Sequence, residues 1–500
     1  MTDPEERSVA GDAGAAAAEE LRLHGHALVD RMADYLACVH ERPVSTNLSP
    51  ARLATRFAGP LPREGRPAED VWESVWKDVV GEAIHLAHPM YMGHQVAPPL
   101  PQAVLADALA SLLNNSIAVW EMSPTGTLVE AQVIRWMTGL IGFPEGSDGT
   151  IVSGGSAANL TGLLAAREAV FPGVWARGVA ADSEAADAVV FTSSHAHYSL
   201  ERALGVMGLP ESAAIAVEGE GGRLDPESLS RQIAASRAEG KRPLAIVATA
   251  ASTATGHFDD LDAISRVAQR ERVWLHVDAA HGGSFMASPG LRSRLRGIER
   301  ADSVAWDPHK MMFMPISAGA ILIRDHRHLD AAFQQSAPYL FHLTPGESRS
   351  SDIGRRTLQC SKRFDALKIW VSLQHYGLDH FGRLLEKTVE NTIVLHRIIS
   401  AAADFEAMHE PEANILCFRH LPGWIAGGSA EEIDRLQDAV RARYNMSGKG
   451  WITATSLGGQ RVLRVTMMNP HTESVHLEAL LAGLREEAAV IYSDRSASGV

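Results

Sequence analysis

VWLHVDAAHGGSF, residues 273–285, and ADSVAWDPHKMM, residues 301–312, are the stretches that decide the fold of this chain. The first begins with an uninterrupted run of apolar and β-branched residues, which predicts a buried strand that ends at Asp278. The second contains a shorter run, residues 303–306, which predicts another strand leading into a turn that ends at Lys310. Two strand ends are therefore predicted to bring a carboxylate and an amine to one place.

An amine and a carboxylate at two strand ends suit pyridoxal phosphate. The Lys310 amine can bond to the aldehyde of this cofactor as a Schiff base, and the Asp278 carboxylate can keep the pyridine nitrogen protonated. Either residue alone has an ordinary explanation, because an aspartate at a strand end is usually a cap and a lysine after a histidine is usually solvated. The hypothesis therefore depends on the pair and on the sequence around it.

The blocks around these two residues resemble those of the group II pyridoxal-dependent amino-acid decarboxylases. The matching motifs are HVDAA at residues 276–280 and PHK at residues 308–310, and the resemblance extends from about His88 to Pro470. It implies the α/β PLP-dependent transferase fold of the aspartate aminotransferase class (fold type I), with a mostly parallel sheet in the large domain, a small C-terminal α+β domain and a helical N-terminal segment. It also implies a carboxy-lyase that releases carbon dioxide and an amine, as the glutamate, cysteine sulfinate and aromatic-L-amino-acid decarboxylases do.

The chain can be divided into four parts. We predict a disordered tail over residues 1–18, a helical segment over 19–92, a large PLP-binding domain over 93–372 and a small domain over 373–492. Strands and helices alternate between residues 188 and 270, which favours a mostly parallel sheet in the large domain. The resemblance implies that the segment over 19–92 clasps a second subunit, so that a homodimer with shared active sites is expected.

Composition and charge argue against several other classes of protein. The 500 residues are 46% hydrophobic and 21% charged, as in an ordinary globular protein of more than one domain. The net charge of −14 argues against nucleic-acid binding, and no apolar run is long enough to span a bilayer. Cys38, Cys360 and Cys417 lie far apart, and the acidic N-terminus lacks the features of a targeting signal. These features favour a cytoplasmic enzyme with reduced thiols.

A phosphate site is predicted where a strand runs into Gly154 and Gly155 and a helix begins near Ser156. Free N–H groups and the positive dipole end at a helix start bind phosphate, and the glycines let the backbone approach it. A serine in this position is more often a simple N-cap. The resemblance assigns the cofactor phosphate to Ser156 and to the amide of Ala157.

A histidine motif, HAHYS, lies at residues 195–199. Its His-x-His pair resembles metal ligands, but no carboxylate or cysteine cluster completes such a site, so no metal is predicted. The resemblance instead implies that His197 stacks on the pyridine ring, and the ordinary alternative is a strand-end histidine bonded to a carbonyl group. The other cofactor contacts that the resemblance implies are Thr253, Ala280, Asp307 and His309.

Gln95, Arg464 and Ser351 are the candidates for contact with the substrate. Gln95 matches a substrate-contacting position of the family, and Arg464 lies in an apolar strand, where a buried arginine needs an acidic partner. That partner is either a structural carboxylate or the substrate. Gln95 and Arg464 favour an acidic amino acid such as aspartate, glutamate or cysteine sulfinate. His281 and Ala118 stand where bulky aromatic residues are expected, so an aromatic or basic amino acid is the alternative.

The chain departs from the resemblance in the segment 339–352. The family carries a mobile loop there, with a tyrosine that protonates the substrate carbon after carbon dioxide leaves, whereas this chain has Ser351 in that place. Serine is a poor acid, so either another donor such as His342 or His281 substitutes, or the product changes. A decarboxylation-dependent oxidative deaminase, which yields an aldehyde, ammonia and peroxide, is therefore the first rival. An aminotransferase of the same fold is less favoured, because the HVDAA and PHK motifs point to the decarboxylases. A non-catalytic scaffold is less favoured, because Asp278, Lys310 and His197 are all present.

Overall fold

The chain builds two β-sheets and a set of helices that pack against them. The computed structural model describes residues 4–46, 49–335, 337–341 and 351–498. The strands in these residues are β1 Asp148–Val152, β2 Ala188–Ser193, β3 Ala214–Val217, β4 Arg242–Thr249, β5 Trp274–Asp278, β6 Ser303–Trp306, β7 Gly319–Ile323, β8 Phe405–Ala407, β9 Ile415–His420, β10 Thr453–Leu457 and β11 Gln460–Thr466.

The first of the two sheets has the strand order β1-β7-β6-β5-β4-β2-β3. Strand β7 runs antiparallel to β1 and β6, whereas β6, β5, β4, β2 and β3 run parallel to one another. The predicted mostly parallel sheet is thereby confirmed. Asp278 at the end of β5 pairs in register with Thr249 on β4 and with Ala305 on β6. The ends of these three strands therefore meet at one edge of the sheet, which is where α/β proteins bind ligands.

Helices precede, connect and follow these strands. Their starts use ordinary capping chemistry: the Asp225 carboxylate accepts a hydrogen bond from the Ser228 N–H, and Ser429 and Glu432 form a capping box. In the part of the chain that the structure describes, no helix is both long and apolar enough to cross a membrane. The α-helices in that part are α1 Pro4–Cys38, α2 Pro50–Phe57, α3 Ala68–Val75, α4 Pro101–Leu113, α5 Pro124–Ile141, α6 Gly155–Val170, α7 Val174–Arg177, α8 Ser183–Ala186, α9 Ser199–Val206, α10 Pro226–Ala238, α11 Leu261–Glu271, α12 His326–Ala332, α13 Ala366–Tyr376, α14 Leu378–Ala401, α15 Ala430–Met446 and α16 Ser474–Ser498.

Both faces of the large sheet are covered by other elements. Every residue of β2, β5, β6 and β7 is buried. Along β5, Leu275 and Val277 pack into the core on one face, and Trp274 packs into the core on the other. Burial on two faces explains why these strands read as uninterrupted apolar runs in the sequence. The position of Asp278 at the end of β5 is therefore fixed by two closely packed cores.

The second sheet is antiparallel and has the strand order β10-β11-β9-β8. Residues of α14, α15 and α16 share a core with it, in which Phe418 and Tyr444 are fully buried. This is the small α+β domain that the resemblance implies, whereas the domain borders given above stay a prediction. Asn414 directly precedes β9 and Arg464 lies in β11, and both contact residues of the large sheet's edge.

The N-terminal part differs from the sequence-based prediction at its start. Helix α1 begins at Pro4, so the described residues 4–18 are helical instead of forming the predicted disordered tail. The alanines at 15–18 explain the difference, because alanine has the highest helix propensity. Helix α2 begins at Pro50. Proline suits the first turn of a helix, because the N–H that it lacks has no partner inside the helix there.

Candidate active site

A cavity of about 420 Å³ lies at the edge where β4, β5 and β6 end. Its wall includes the strand-end residues Thr249 and Asp278. Arg464 and Ser351 do not belong to the lining that the described residues form. The sequence-predicted residues that the cavity brings together are Gln95, Ser156, Ala157, His197, Thr253, Asp278, Ala280, Asp307, His309 and Lys310.

The amine of Lys310 is held by the carboxylate of Asp307. Lys310 Nζ lies 3.2 Å from Asp307 Oδ2, and the Gly155 N–H donates to the same oxygen at 2.9 Å. Asp307 Oδ1 is buried and has no hydrogen-bond partner among the described residues. One carboxylate therefore joins the turn after β6 to the start of α6 and fixes the amine at the cavity wall.

The carboxylate of Asp278 accepts hydrogen bonds from two neutral donors. The Ala280 N–H donates to Oδ1 at 3.1 Å, and the Asn159 amide donates to Oδ2 at 2.9 Å. Within the described residues, no lysine, arginine or histidine nitrogen lies within 4.0 Å of this buried carboxylate. A buried negative charge needs a compensating partner, and a protonated ring nitrogen in the cavity would supply one. Sequence analysis does not single out Asn159, although its place nearly one helical turn after Ser156 is a signal that would find it.

A chain of hydrogen bonds behind Asp278 fixes the orientation of Asn159. The Trp274 indole N–H donates to the Ser303 hydroxyl at 2.9 Å. The His276 imidazole lies between that hydroxyl, 2.7 Å from Nδ1, and the side-chain oxygen of Asn159, 2.9 Å from Nε2. Because an amide oxygen only accepts, Nε2 of His276 carries the hydrogen and Nδ1 accepts from Ser303. Each donor in the chain thus has an acceptor, and the Asn159 amide is left to donate to Asp278.

Burial of His276 predicts that the folded protein loses stability in mild acid. Burial lowers the pKa of His276 from 6.5 to about 4. As the pH falls through 6.5, the unfolded chain gains a proton that the folded chain does not, so the free energy of unfolding decreases until the pH reaches about 4. For this histidine we expect a loss of about 2 kcal/mol between pH 7 and pH 5.

Urea denaturation of the apoprotein at pH 7, 6 and 5 measures this effect. His276→Gln is the control, because the glutamine side chain can still hydrogen-bond but does not titrate. Between pH 7 and pH 5, the free energy of unfolding is expected to decrease by about 2 kcal/mol less in the variant than in the parent protein. An equal pH dependence in both proteins would show that His276 does not carry it.

The imidazole of His197 lines the cavity beside Tyr198, and their ring centroids lie 4.2 Å apart. Its Nδ1 accepts a hydrogen bond from the Ser199 N–H at 3.2 Å, so in the neutral ring the hydrogen is on Nε2. Burial lowers the pKa of His197, which favours this neutral form. A neutral aromatic ring in this position is suited to stack on a pyridine ring. In the described part of the chain, no group of three or more His, Cys, Asp or Glu residues is arranged to hold a metal ion.

The start of α6 contributes Ser156 and Ala157 to the cavity wall. Ser156 is exposed, and the 16-residue helix has its positive dipole end here. The turn is tightly packed at Gly155, where a Cβ atom would lie 3.0 Å from Ala280 Cβ and 3.1 Å from Asp307 Oδ2 and would require these neighbours to shift. The backbone of this turn can therefore approach a ligand closely.

Four buried polar atoms at the cavity have no hydrogen-bond partner among the described residues. They are Gln95 Nε2, Thr249 Oγ1, His281 Nδ1 and Asp307 Oδ1. Buried polar atoms are normally paired, so their concentration here indicates that the cavity receives a polar molecule. With the lysine amine, the carboxylate at the end of β5 and the start of α6, they fit pyridoxal phosphate, which carries an aldehyde, a basic ring nitrogen and a phosphate.

The guanidinium of Arg464 contacts the loop after β4. Its Nε donates to the Ala254 carbonyl at 3.2 Å and its Nη1 donates to the Thr453 hydroxyl at 3.3 Å. No carboxylate of the described residues lies within 4.0 Å of Arg464, and its Nη2 is buried without a partner among them. A structural carboxylate, one of the two acidic partners predicted for Arg464, is therefore not found among the described residues. Arg464 therefore anchors the loop that carries Thr253.

The segment predicted to form a mobile loop is described only in part. Residues 342–350, which include the candidate proton donor His342, lie outside the described residues. Ser351 is described, is partly buried and is not in the cavity lining. The mobile loop therefore stays a prediction.

The fold and the cavity define a fold type I enzyme that uses pyridoxal phosphate. The chain belongs to the pyridoxal-dependent decarboxylases, because residues 51–421 match the family model described as the pyridoxal-dependent decarboxylase conserved domain. This match covers most of the chain and includes the Asp278 and Lys310 blocks. The recognition made from those blocks is therefore confirmed.

Similar proteins agree with this assignment over nearly the whole chain. An aromatic-L-amino-acid decarboxylase from Bacillus atrophaeus is 28% identical over 479 residues, which is 95% of this chain and 97% of the relative. An L-2,4-diaminobutyrate decarboxylase from Rhizobium meliloti is 30% identical over 464 residues, which is 92% of this chain and 90% of the relative. The crystal structure of mouse CSAD has a TM-score of 0.88 at 29% identity, with 95% of this chain and 99% of that chain covered. The protein is a PLP-dependent amino-acid decarboxylase, a carboxy-lyase, and its relatives leave the amino acid open.

Proposed function

We propose that Lys310, Asp278 and His197 hold pyridoxal phosphate in the cavity, where an L-amino acid loses its α-carboxylate as carbon dioxide. The observation that carries this proposal is that an amine and a carboxylate from two strand ends line one cavity. When bound, the cofactor supplies an electron sink for the electron pair that remains as carbon dioxide leaves. The residues of the chain contribute orientation and electrostatic stabilisation.

Each cofactor residue has a task that its contacts support. Lys310 Nζ is the amine that would hold the cofactor through its aldehyde, and its ion pair with Asp307 positions that amine. Asp278 keeps a proton on the ring nitrogen, and its two neutral donors leave its negative charge available for that proton. His197 stacks on the ring in its neutral form. The start of α6 would bind the phosphate through the Ser156 hydroxyl, with His309 beside it in the lining. The amide of Ala157, which the resemblance also assigns to the phosphate, instead donates to the Gly154 carbonyl at 3.0 Å.

The expected product is the amine, which requires a proton donor for the α-carbon. Ser351 in place of the family's tyrosine favours a second candidate, the oxidative deaminase. His281 is unsuited as the substitute donor: its Nε2 faces the Asn414 side-chain oxygen at 2.7 Å, and burial lowers its pKa to about 3. Lys310 and His197 are side chains of the described lining that can carry a proton to that carbon.

The two candidates give different product balances. The purified holoenzyme is incubated with each amino acid separately, and carbon dioxide, amine, ammonia and peroxide are measured. The decarboxylase proposal predicts one amine for each carbon dioxide. Ammonia and peroxide rising in step with carbon dioxide would establish the deaminase instead. Absence of carbon dioxide from every amino acid would overturn both.

The prediction of an acidic substrate depends on Gln95 and Arg464, and only one of them lies in the cavity wall. Gln95 lines the cavity, whereas Arg464 does not. Apart from Lys310, the described lining contains no lysine or arginine that could pair with a second carboxylate of the substrate. An acidic substrate would therefore have to reach Nη2 of Arg464.

We also propose that a second copy of the chain packs on the N-terminal helices. Leu21 and Leu23 on α1 are 58% and 61% exposed, and Leu112 on α4 is 66% exposed. Large apolar side chains that are exposed in one chain can be covered by another, and the resemblance implies a clasp between two copies. Size-exclusion chromatography with light scattering is expected to give twice the mass of the chain, and a monomer at micromolar concentration would contradict the proposal.

The state of the cysteines indicates the cellular compartment of the enzyme. Cys38, Cys360 and Cys417 are all free thiols. Thiols that stay reduced are typical of the cytoplasm, so we propose a cytoplasmic location. Subcellular fractionation tests this, with activity expected in the cytoplasmic fraction and activity elsewhere contradicting it.

The close approach at Gly155 predicts that Gly155→Ala weakens cofactor binding by about tenfold or more, since the new methyl group would displace Ala280 or Asp307 at the phosphate site. The control is Gly139→Ala in α5, where an added Cβ meets nothing within 4 Å. That variant is expected to bind normally and to gain about 0.5–1 kcal/mol of stability. Equilibrium dialysis with pyridoxal phosphate measures the affinities, and normal binding by Gly155→Ala would contradict the assigned phosphate site.

A further inference from the structure

The imidazole of His281 is a part of the cavity wall to which the proposed chemistry gives no task. It follows the end of β5 by three residues, is 3% exposed and lines the same cavity as Lys310. The charge of Lys310 is one of the effects that lower the pKa of His281. His281 therefore belongs to the wall that a molecule bound in this cavity faces.

In the neutral His281 ring the hydrogen is on Nε2, because Asn414 of the small domain presents a hydrogen-bond acceptor to that nitrogen. The Asn414 amide nitrogen donates to the Met467 carbonyl at 2.9 Å, so its side-chain oxygen is the atom that faces His281. That oxygen lies 2.7 Å from His281 Nε2 and can only accept. In the neutral ring, Nδ1 therefore carries a lone pair and no hydrogen.

His281 Nδ1 is a buried acceptor that lacks a donor. Burial lowers the pKa of His281 to about 3, so the ring does not gain a proton at physiological pH. Nδ1 has no hydrogen-bond partner among the described residues. A buried acceptor without a donor is unfavourable, and a ligand that brings an N–H or O–H removes that cost.

Gln95 adds a hydrogen-bond donor to the cavity wall, and its side chain carries no charge. Gln95 Nε2 is buried without a partner at the same cavity, and it can donate to an oxygen or ring atom of the ligand. Lys310 carries the only lysine or arginine cation of the described lining. A carboxylate at the end of a substrate side chain would accept from Gln95, but it would leave His281 Nδ1 unpaired and face its lone pair.

We propose that His281 determines substrate specificity: its Nδ1 accepts a hydrogen bond from a hydroxyl or N–H group on an uncharged substrate side chain. The enzyme then prefers such amino acids to isosteric ones that are apolar or acidic. The inference rests on the proposed function, because the substrate must occupy the cavity beside the cofactor in order to reach His281. A site built around a hydrogen bond rejects ligands that lack the matching group, because its own polar atom is then left unpaired.

Two substrate pairs test this preference. Tyrosine and phenylalanine differ by a hydroxyl donor, and glutamine and glutamate differ by replacement of an amide donor with a carboxylate. For whichever pair is turned over, the donor-bearing member is expected to have a kcat/KM higher by about tenfold or more. His281→Phe is expected to reduce that ratio to about twofold or less, because it keeps an aromatic ring without the acceptor. A ratio that favours glutamate or phenylalanine in the parent enzyme, or an unchanged ratio in the variant, would overturn the inference.

A matched control and an inverted variant separate specificity from folding. His257→Phe replaces another histidine, which lies outside the cavity lining, and is expected to keep the parent ratios. Asn414→Asp places a carboxylate against Nε2, which favours the protonated ring and turns Nδ1 into a donor. A folded Asn414→Asp enzyme is expected to shift toward glutamate relative to glutamine by about tenfold, and no shift would count against the proposed role of Nδ1.

Binding without turnover gives a second readout. Isothermal titration compares 3-(4-hydroxyphenyl)propanoate with 3-phenylpropanoate, which lack the α-amino group and cannot react with the cofactor. The holoenzyme is expected to bind the hydroxylated acid about tenfold more tightly, and His281→Phe is expected to bind the two equally. Equal binding by the parent protein would overturn the inference. Release of carbon dioxide from any amino acid would still support the proposed function, so the two failures can be told apart.

Discussion

Replacing Lys310 with alanine is expected to lower kcat by about 10³-fold or more and to leave the cofactor without a covalent bond to the protein. Lys310 carries the only amine in the described cavity lining, so no neighbouring side chain of that lining can substitute for it. Single-turnover measurements of carbon dioxide release give the rate. After reduction of the Schiff base with borohydride, gel filtration under denaturing conditions shows whether the cofactor remains attached to the chain.

Lys310→Arg is the matched variant for this test. Arginine keeps a positive charge near Asp307, but its guanidinium stays protonated and does not attack the aldehyde. Both variants are expected to be inactive, and Lys310→Arg is expected to melt closer to the parent temperature because the charge of Asp307 remains compensated. Parent-like turnover in either folded variant would contradict the role assigned to Lys310.

Asp278→Asn is expected to lower kcat/KM by about 10²–10³-fold, because a neutral amide cannot hold a proton on the ring nitrogen and the electron sink is weakened. The substitution is nearly isosteric, and the amide oxygen can still accept from Asn159 at the position of Oδ2. A large loss of activity with little loss of stability is therefore predicted. Steady-state kinetics and thermal melting measure the two effects.

Asp278→Glu separates charge from position. It keeps the carboxylate and displaces it by one methylene, so it is expected to retain more activity than Asp278→Asn although its geometry is worse. Asn159→Ala, which removes a donor to Asp278 but leaves the charge, is expected to have an intermediate loss. An order in which Asp278→Asn is the most active of the three would rule out the proposed charge effect.

The parts of the site that could be predicted from the sequence are those that short local patterns determine. Residues 303–306 were predicted as a strand and form β6 with those bounds, because a buried strand of a parallel sheet is apolar at every position. Asp278 and Lys310 follow such strands, so their meeting at one edge could be inferred from chain order alone.

The parts that could not be predicted depend on contacts between distant residues. Asn159 contacts Asp278 across 119 positions of the chain, and His281 contacts Asn414 across 133. Arg464 was predicted to need an acidic partner, yet its Nε donates to the backbone carbonyl of Ala254, which has no sequence signature. A carbonyl group that accepts a hydrogen bond is present in every residue, so only the fold shows which one is used.

The central claim is that Asp278 and Lys310 hold opposite sides of one pyridoxal phosphate molecule. A crystal structure of the holoenzyme tests it most directly. The account predicts continuous electron density from Lys310 Nζ to the cofactor and a distance of about 3 Å between the ring nitrogen and the Asp278 carboxylate. A cofactor bonded to another lysine, or a ring nitrogen that faces a residue other than Asp278, would contradict it.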